Sequence, residues 1–384
     1  MTSKDISVLY NTNKAVQLNG RYINNAHIEP LLKKLGNLFN VQIIGRSVLN
    51  NPIYAVKFGT GKKRLLLWSQ MHGNESTTTK ALFDFFNTVK TANDDLKSIL
   101  SAFTFYVIPI LNPDGAEAYT RINANQVDLN RDAQNLSQPE SKILRAVYND
   151  FQPDYCFNLH GQRTIFSAGT TNNIATVSFL SPSQDAERTI TDSRKIGMEV
   201  IAAMNNTLQE LIPNQVGRYD DGFNLNCVGD TFQSFNVPTI LFEAGHFPND
   251  YAREQTRFYI YAAYLSAFNY IANHDNLGAH YQAYLDIPEN DKCFLDVIIR
   301  NANVGTEQSP VIADIGVLFV EKLINKNIAF IPKIEIIGNL NNSYGHKEFN
   351  AKKMNVLSRD KQVLIEGSEN DFVYIGNDKF LLKM

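Results

Sequence analysis

The sequence predicts an α/β fold, in which helices cover both faces of a β-sheet, followed by a small all-β domain. Three observations lead to this expectation. Apolar runs typical of strands buried on both faces alternate with segments of helical periodicity up to about residue 280. From residue 291 onward the apolar runs are shorter and are separated by turn residues. The 384 residues are enough for both parts, and we expect domains at residues 1–287 and 288–384.

The predicted elements of the first domain begin with a helix and a hairpin. Apolar residues recur at helical spacing over residues 27–39, where Pro30 lies near the helix start. Residues 41–48 and 53–59 resemble strands, and the turn between them contains Asn50, Asn51 and Pro52, which is typical of a hairpin. The remaining strands are predicted at 64–70, 103–111, 155–160 and 238–244, and the remaining helices at 75–90, 139–150, 184–211 and 253–273.

The second domain follows a predicted linker at residues 284–291. Its short apolar runs, divided by turn formers, are typical of a β-sandwich or a small barrel. The predicted strands are residues 293–300, 315–321, 329–338, 361–367, 371–376 and 379–384.

Composition excludes several classes of partner and site. The chain has 36 Lys and Arg against 39 Asp and Glu, so its net charge of −3 gives no reason to expect a nucleic acid or an anionic membrane. No run reaches the ~18–20 apolar residues of a membrane span or the ~7–15 of a secretory signal, so we expect a cytoplasmic protein. Cys156, Cys227 and Cys293 suit neither a disulfide framework nor a zinc ribbon, and we expect them to be small buried hydrophobic residues.

Candidate residues of a metal site lie at the ends of three predicted strands. His72 and Glu75 follow the strand at 64–70 as an HxxE pair, His160 ends YCFNLH, and Glu243 lies near the end of PTILFEA. Sites in open α/β sheets gather at the carboxyl ends of strands. Two imidazoles and one carboxylate suit zinc and leave a fourth position open, which is typical of a catalytic site.

A long polar segment, residues 112–132, lies between a predicted buried strand and a predicted helix. Loops of this length inside a compact domain are usually functional. Arg121 and Arg131 each lie near an asparagine, and their planar guanidinium groups suit carboxylates and developing oxyanions. The alternative interpretation is a solvated, charged loop.

Five blocks of the sequence together resemble the M14 family of zinc carboxypeptidases. The blocks are HGNE, NPDG, RINANQVDLNR, NLHG and FEAG, in the family's order, and the resemblance covers about residues 40–275. It implies a mixed, twisted sheet between helices, with the zinc at the strand ends. Glu75 and His160 lie 85 residues apart, which is closer to the family's succinylglutamate desuccinylase and aspartoacylase branch than to the digestive carboxypeptidases.

The resemblance assigns roles at the predicted metal site. His72, Glu75 and His160 would bind one Zn²⁺. Asp128 would orient His72, which matters for the basicity of that ligand. Glu243 would act as the general base toward the attacking water and later as the acid toward the leaving amine.

The resemblance also assigns residues to the substrate. Arg121 would polarise the scissile carbonyl and stabilise the oxyanion. Asn130 and Arg131 would bind the terminal carboxylate, so that only a chain end fits. Tyr219 is the candidate for the mobile tyrosine that covers the substrate. Asp230 is expected to be a turn residue after Gly229, although in the side-chain pocket it would favour basic side chains.

Three functions remain open on the sequence alone. The leading one is a zinc metallocarboxypeptidase, which hydrolyses the C-terminal bond of a peptide with a free carboxylate. The alternative is a zinc amidohydrolase or deacylase acting on N-acyl amino acids or γ-linked cell-wall peptides. The third is a binding module that has lost catalysis. The β domain either binds a partner or only packs against and stabilises the first domain.

Overall fold

The chain forms two compact units in a computed structural model, which describes residues 1–91, 94–306 and 308–383. Among the described helices, none is both long and apolar enough to cross a membrane. The first unit comprises Met1–Gln162 and Ala175–Asn290, and the second comprises Arg163–Ile174 and Asp291–Met384.

A mixed, eight-stranded sheet forms the centre of the first unit. Its strands are β1 (Asn40–Arg46), β2 (Pro52–Phe58), β3 (Lys63–Ser69), β4 (Phe103–Ile108), β5 (Tyr155–Gly161), β6 (Val177–Leu180), β7 (Val216–Arg218) and β8 (Thr239–Ala244). They are arranged in the order β1-β2-β4-β3-β5-β8-β6-β7. The central strands β4, β3, β5 and β8 are mutually parallel, so their carboxyl ends meet at one edge. The outer strand pairs β1/β2, β2/β4 and β6/β8 are antiparallel.

Helices cover this sheet on both faces, which confirms the predicted fold class. The helices are α1 (Ser3–Asn13), α2 (Asn25–Leu32), α3 (Thr77–Lys90), α4 (Asp94–Ala102), α5 (Pro113–Ala118), α6 (Pro139–Phe151), α7 (Asp192–Leu211), α8 (Val228–Ser234) and α9 (Glu254–Asn273). Along β3, Leu65 and Leu67 enter the core with α3, α7 and α9. Leu66 and Trp68 enter the opposite core with α6 and α8. Both faces of the strand are therefore apolar, as its unbroken apolar run predicted.

Two predicted helices are shorter than expected. The helix predicted over 27–39 ends at Leu32, and the chain turns at Gly36, whose φ of +82° favours glycine. The helix predicted over 184–211 begins only at Asp192. There Thr191 has extended backbone and its side chain accepts a bond from the Arg194 N–H, which is the geometry of an N-cap.

The second unit is built from two small sheets, as the prediction of an all-β domain required. The four-stranded sheet has β9 (Phe294–Asn303), β10 (Ile312–Ile324), β11 (Asn327–Gly338) and β12 (Tyr344–Asn350), and the three-stranded sheet has β13 (Val356–Leu357), β14 (Phe372–Ile375) and β15 (Asp378–Leu381). Two-residue strands also occur at Ser167–Ala168 and Asn290–Asp291. A shared core holds Val297 and Val317 from one sheet and Val373 from the other.

One predicted strand of this unit is wrong. Residues 361–367 form no regular strand, because Val363 and Ile365 are 47% and 70% exposed and Gly367 turns with φ +85°. The strand predicted at 379–384 corresponds to β15, and Met384 at its end lies outside the described residues.

Candidate active site and metal centre

The carboxyl ends of β3, β5 and β8 bring three candidate residues together. In the parallel pairing of β5 with β8, His160 lies directly opposite Glu243. His72 follows the end of β3, whose Ser69 pairs with Leu159 of β5. Residues that are far apart in sequence therefore share one edge of the sheet.

Two glycines allow the loop after β3 to turn into this edge. A Cβ at Gly73 would lie 1.9 Å from the carbonyl carbon of Gly115, so the HGNE and NPDG segments can touch only without side chains there. The Gln70 amide donates to the Gly73 carbonyl at 2.8 Å and to the Ile23 carbonyl at 3.0 Å. These contacts fix the backbone that carries His72 and Glu75.

His72, Glu75 and His160 form a compact set of possible metal ligands. Nδ1 of His72 lies 2.9 Å from Oε1 of Glu75, and Nδ1 of His160 lies 2.9 Å from Oε2 of the same carboxylate. The two Nδ1 atoms are 3.0 Å apart. Both imidazoles are only 2% exposed, and one ligand atom from each residue lies within 4.8 Å of the others.

The chemistry of this set fits zinc. Asp128 Oδ1 lies 3.0 Å from His72 Nε2, and since a carboxylate only accepts, the His72 proton belongs on Nε2. The Nδ1 lone pair of His72 then faces His160 Nδ1 and the Glu75 carboxylate. A cation bound between these three acceptor groups would interact favourably with each of them. Two imidazole nitrogens and one carboxylate oxygen are ligands that Zn²⁺ prefers.

The pKa shifts of the set reflect its mutual contacts. Burial lowers the pKa of His160, which favours the neutral imidazole that a metal requires. Burial also acts to lower the pKa of His72, but Glu75 and Asp128 together raise it. Burial acts to raise the pKa of Glu75, but the two histidines hold it well below its usual range.

Glu243 lies beside this set with an unsatisfied carboxylate. Its Oε2 is buried and has no hydrogen-bond partner among the described residues. Burial, and then the negative charge of Glu75, raise its pKa well above the ordinary value, while Arg121 and Arg253 oppose the shift. The geometry provides a carboxyl group that can hold a proton next to the candidate metal ligands.

Asp128 connects the candidate metal centre to Arg121. Its Oδ2 accepts from Arg121 Nε at 3.0 Å while its Oδ1 contacts His72. Arg121 Nη1 is also 3.4 Å from Glu75 Oε1, and the arginine side chain is 47% exposed. The guanidinium group therefore lies at the solvent-accessible mouth of the site, with one side held by acidic groups.

Asn130 and Arg131 lie on the same short loop and contact the first turn of α8. Asn130 Oδ1 accepts from the Val228 N–H at 3.0 Å. Arg131 Nη1 donates to the Asn130 carbonyl at 2.7 Å and contacts Cys227 Sγ at 3.2 Å.

Cys227 is therefore not the buried hydrophobic residue that the sequence predicted: it is partly exposed, and burial raises its pKa to about 11. Cys293 is also partly exposed, whereas Cys156 is buried as expected.

Tyr219 and Asp230 are the two remaining residues considered for the substrate side of the site. Burial, and then the charges of Glu243 and Glu75, raise the pKa of Tyr219. Asp230 lies in the first turn of α8 and accepts from the Asn224 N–H at 3.0 Å, so it holds a turn. Burial raises the pKa of Asp230 to about 6.

Sequence reasoning missed Arg253, which is buried behind Glu243. Its guanidinium group donates to the Ala244 carbonyl at 2.6 Å and to the Gln162 carbonyl at 2.9 Å. Both acceptors are backbone atoms, so no pattern of side chains in the sequence marks this contact.

The profile of the zinc carboxypeptidase family matches residues 25–270, which is more than half of the chain. Carboxypeptidase E of Caenorhabditis elegans is 30% identical over 144 residues, covering 30% of this chain and 30% of that protein. Gamma-D-glutamyl-L-diamino acid endopeptidase 1 of Lysinibacillus sphaericus is 28% identical over 125 residues, covering 29% and 32%. The chain thus spans about a third of the length of these relatives.

A solved structure shares the fold. The metallo-carboxypeptidase of Burkholderia cenocepacia superposes with a TM-score of 0.52 at 19% identity, covering 65% of this chain and 69% of that chain. The family resemblance inferred from the five sequence blocks is confirmed by the profile match. The chain belongs to the M14 family of zinc carboxypeptidases.

Proposed function

We propose that the protein is a zinc-dependent metallocarboxypeptidase, with residues 1–287 as its catalytic domain and residues 288–384 as a separate β domain. The observation that carries the proposal is the convergence of His72, Glu75 and His160 with Glu243 at one edge of the sheet. A zinc ion held by the three ligands would supply a Lewis acid that activates water and polarises a carbonyl.

Glu243 moves the proton in this proposal. A buried carboxylate with a raised pKa accepts a proton from the attacking water more readily than an exposed one. The same group then donates that proton to the amine that leaves when the peptide bond breaks. The unpartnered Oε2 supports the assignment, because nothing among the described residues competes for that oxygen.

Arg121 stabilises the negative charge that develops on the carbonyl oxygen. Its Nε is held by Asp128 and its Nη1 lies 3.4 Å from Glu75 Oε1, while 47% of the side chain is exposed. Donors that are already oriented before the reaction stabilise a developing oxyanion more effectively than donors that must reorganise.

Asn130 and Arg131 bind the terminal carboxylate of the substrate. An arginine fork accommodates a carboxylate through two parallel hydrogen bonds, and Arg131 is exposed enough to offer them. Tyr219 covers the bound substrate in this proposal. The expected substrate is therefore a peptide with a free C-terminal carboxylate.

The second candidate function is amide hydrolysis on N-acyl amino acids or γ-linked cell-wall peptides. The similarity to the Lysinibacillus sphaericus γ-D-glutamyl-L-diamino acid endopeptidase favours it. The same proton transfer by Glu243 would serve peptide hydrolysis and deacylation. The two functions therefore differ in which substrates can bind on the Arg131 side of the site.

A panel of matched substrates tests the proposal. The purified protein, with its zinc content measured, is incubated with peptides, with the same peptides carrying a C-terminal amide, with N-acyl amino acids and with γ-glutamyl peptides. Release of a single C-terminal residue from the free peptides alone supports the carboxypeptidase. Release of acyl groups alone would favour the amidohydrolase, and the absence of both zinc and hydrolysis would favour a binding module.

A further inference from the structure

Arg253 links the two strands that carry His160 and Glu243. The arginine lies just before α9, and only 2% of it is exposed. Its Nη1 donates to the carbonyl of Ala244, the residue after Glu243, and its Nη2 donates to the carbonyl of Gln162, two residues after His160. One planar guanidinium group therefore spans the ends of β5 and β8.

The start of α9 holds Arg253 in an unusual backbone conformation. The Asp250 carboxylate accepts from the N–H groups of Glu254, Gln255 and Thr256 at 2.8, 2.7 and 3.0 Å, which fixes the first turn. Arg253 itself has φ +60°, in the left-handed region. A residue with a side chain costs about 1–2 kcal/mol there, so its surroundings must hold it in place.

The contacts of Arg253 matter because the strand pairing ends at this point. The Gln162 N–H donates to the Ala244 carbonyl at 3.0 Å, and that carbonyl also accepts from Arg253. Hydrogen bonds from a charged donor are roughly twice as strong as neutral ones. Glu243 Oε2 has no hydrogen-bond partner among the described residues, so no bond of its own anchors that oxygen, and the backbone that Arg253 holds contributes to its position.

We propose that Arg253 is a positioning residue, which fixes the ends of β5 and β8 so that Glu243 stays aligned for proton transfer. This inference rests on the proposed function, in which Glu243 handles the proton.

Two substitutions at Arg253 and one control test this role. Arg253→Met keeps the length of the side chain but removes every donor, and Arg253→Lys keeps the charge but reaches only one carbonyl. Arg257→Lys is the matched control: Arg257 is on the same helix and equally buried, but it pairs with Asp84 and bonds the Leu18 carbonyl. The measurements are kcat, KM, zinc content, melting temperature and hydrogen exchange at residues 160–163 and 243–246.

We expect Arg253→Met to lower kcat by about 100-fold, the loss that a misplacement of about 1 Å can cause, with KM and zinc content unchanged. Arg253→Lys should recover part of that loss, and hydrogen exchange in both segments should quicken. Arg257→Lys should lower only the melting temperature. An unchanged kcat in Arg253→Met, or losses of kcat and zinc in equal proportion, would overturn the positioning role.

The design separates this inference from the proposed function. If the wild-type protein releases acyl groups instead of C-terminal residues, the carboxypeptidase assignment fails. The positioning role is then tested by comparing kcat of the wild-type protein and the Arg253 variants on the acyl substrate. If Arg253→Met does not fold, or the wild-type protein hydrolyses neither substrate, hydrogen exchange of Arg253→Lys decides. Exchange equal to that of the wild-type protein in both segments would then refute the link between the strands.

Discussion

Asp128→Asn should weaken zinc binding although Asp128 is not one of the three proposed zinc ligands. The Asp128 carboxylate contacts His72 Nε2, Arg121 Nε and the Asn130 N–H at 3.0, 3.0 and 2.9 Å. Asparagine has almost the same shape and can still accept at one oxygen, but it removes the negative charge that holds the proton on His72 Nε2. The substitution therefore acts chiefly on the orientation and basicity of one metal ligand.

The size of the effect follows from these contacts. Loss of such an outer partner typically reduces metal affinity by about 10-fold to 100-fold, which corresponds to about 1.4–2.7 kcal/mol. The Arg121 pair adds little to stability, because that arginine is 47% exposed and exposed ion pairs contribute about 0–1 kcal/mol. The expected result is a zinc dissociation constant raised by about one to two orders of magnitude, in a protein with a nearly unchanged melting temperature for the metal-free form.

Competition with a fluorescent chelator at fixed pH measures this change. Asp132→Asn is the matched control, because Asp132 lies on the same loop but caps the N–H groups of Ser137 and Gln138 at 2.9 Å each. Its zinc affinity should equal that of the wild-type protein. A dissociation constant for Asp128→Asn within about twofold of the wild-type value would show that Asp128 does not support His72 as a zinc ligand, contrary to the general pattern.

Four further changes have distinct expected outcomes. Glu243→Gln should keep its zinc and lose about 10²–10⁴-fold in turnover, as for a missing general base; full activity would remove Glu243 from that role. Arg131→Ala should raise KM for free peptides and leave hydrolysis of C-terminal amides unaffected, and an equal effect on both substrates would contradict carboxylate binding. Asp230 has a folded pKa of about 6, above its unfolded value, so its ionisation destabilises the folded protein as the pH rises through about 4 to 6. The melting temperature of Asp230→Asn relative to that of the wild-type protein should therefore be higher at pH 8 than at pH 4.5. The rate at which iodoacetamide alkylates Cys227 should increase as the pH rises toward the thiol pKa of about 11, and the alkylated protein should have a higher KM. The KM of Cys227→Ser should not change on treatment with iodoacetamide.

The strands of the first unit were predictable where the pattern is local. In β3 every residue from Leu65 to Trp68 is apolar because the two faces of the sheet bury alternate side chains in different cores. Short helices and strands contain too few residues to show a hydrophobic periodicity. β7 has three residues and α8 has seven, and both depend on the tertiary contacts around them.

The start of α7 shows how a local signal can mislead. Residues 184–191 continue the helical spacing of apolar positions, but the Thr191 side chain accepts from the Arg194 N–H and begins the helix there. A buried ion pair from Arg194 to Asp221 at 2.7 Å also ties this end of the helix to a distant loop. The sequence shows Thr191 as a possible capping residue. It does not show the ion pair with Asp221, which favours a helix start at Thr191 over a start further upstream.

The candidate site was predictable to the extent that side chains carry the chemistry. His72, Glu75 and His160 could be named from residue type and position, because zinc accepts few kinds of ligand and strand ends gather them. Arg253 could not, because its partners are backbone carbonyls that exist at every position of the chain. Only the fold determines which two carbonyls an arginine reaches.

The charges at this edge of the sheet explain why a metal ion and an anionic substrate belong together. Glu75 and Asp128 contribute negative charge, Glu243 is a carboxyl group that can hold a proton, and Arg121, Arg131 and Arg253 contribute positive charge. Arg253 is buried and its Nη1 and Nη2 both donate to backbone carbonyls, and Arg121 is partly held by Asp128. A divalent cation between the imidazoles makes the whole site positive, and the exposed Arg131 places that positive charge where a free carboxylate can reach it. The near-neutral total of −3 therefore coexists with a site whose local charge, if the proposed metal is bound, would favour the end of a peptide chain over its middle.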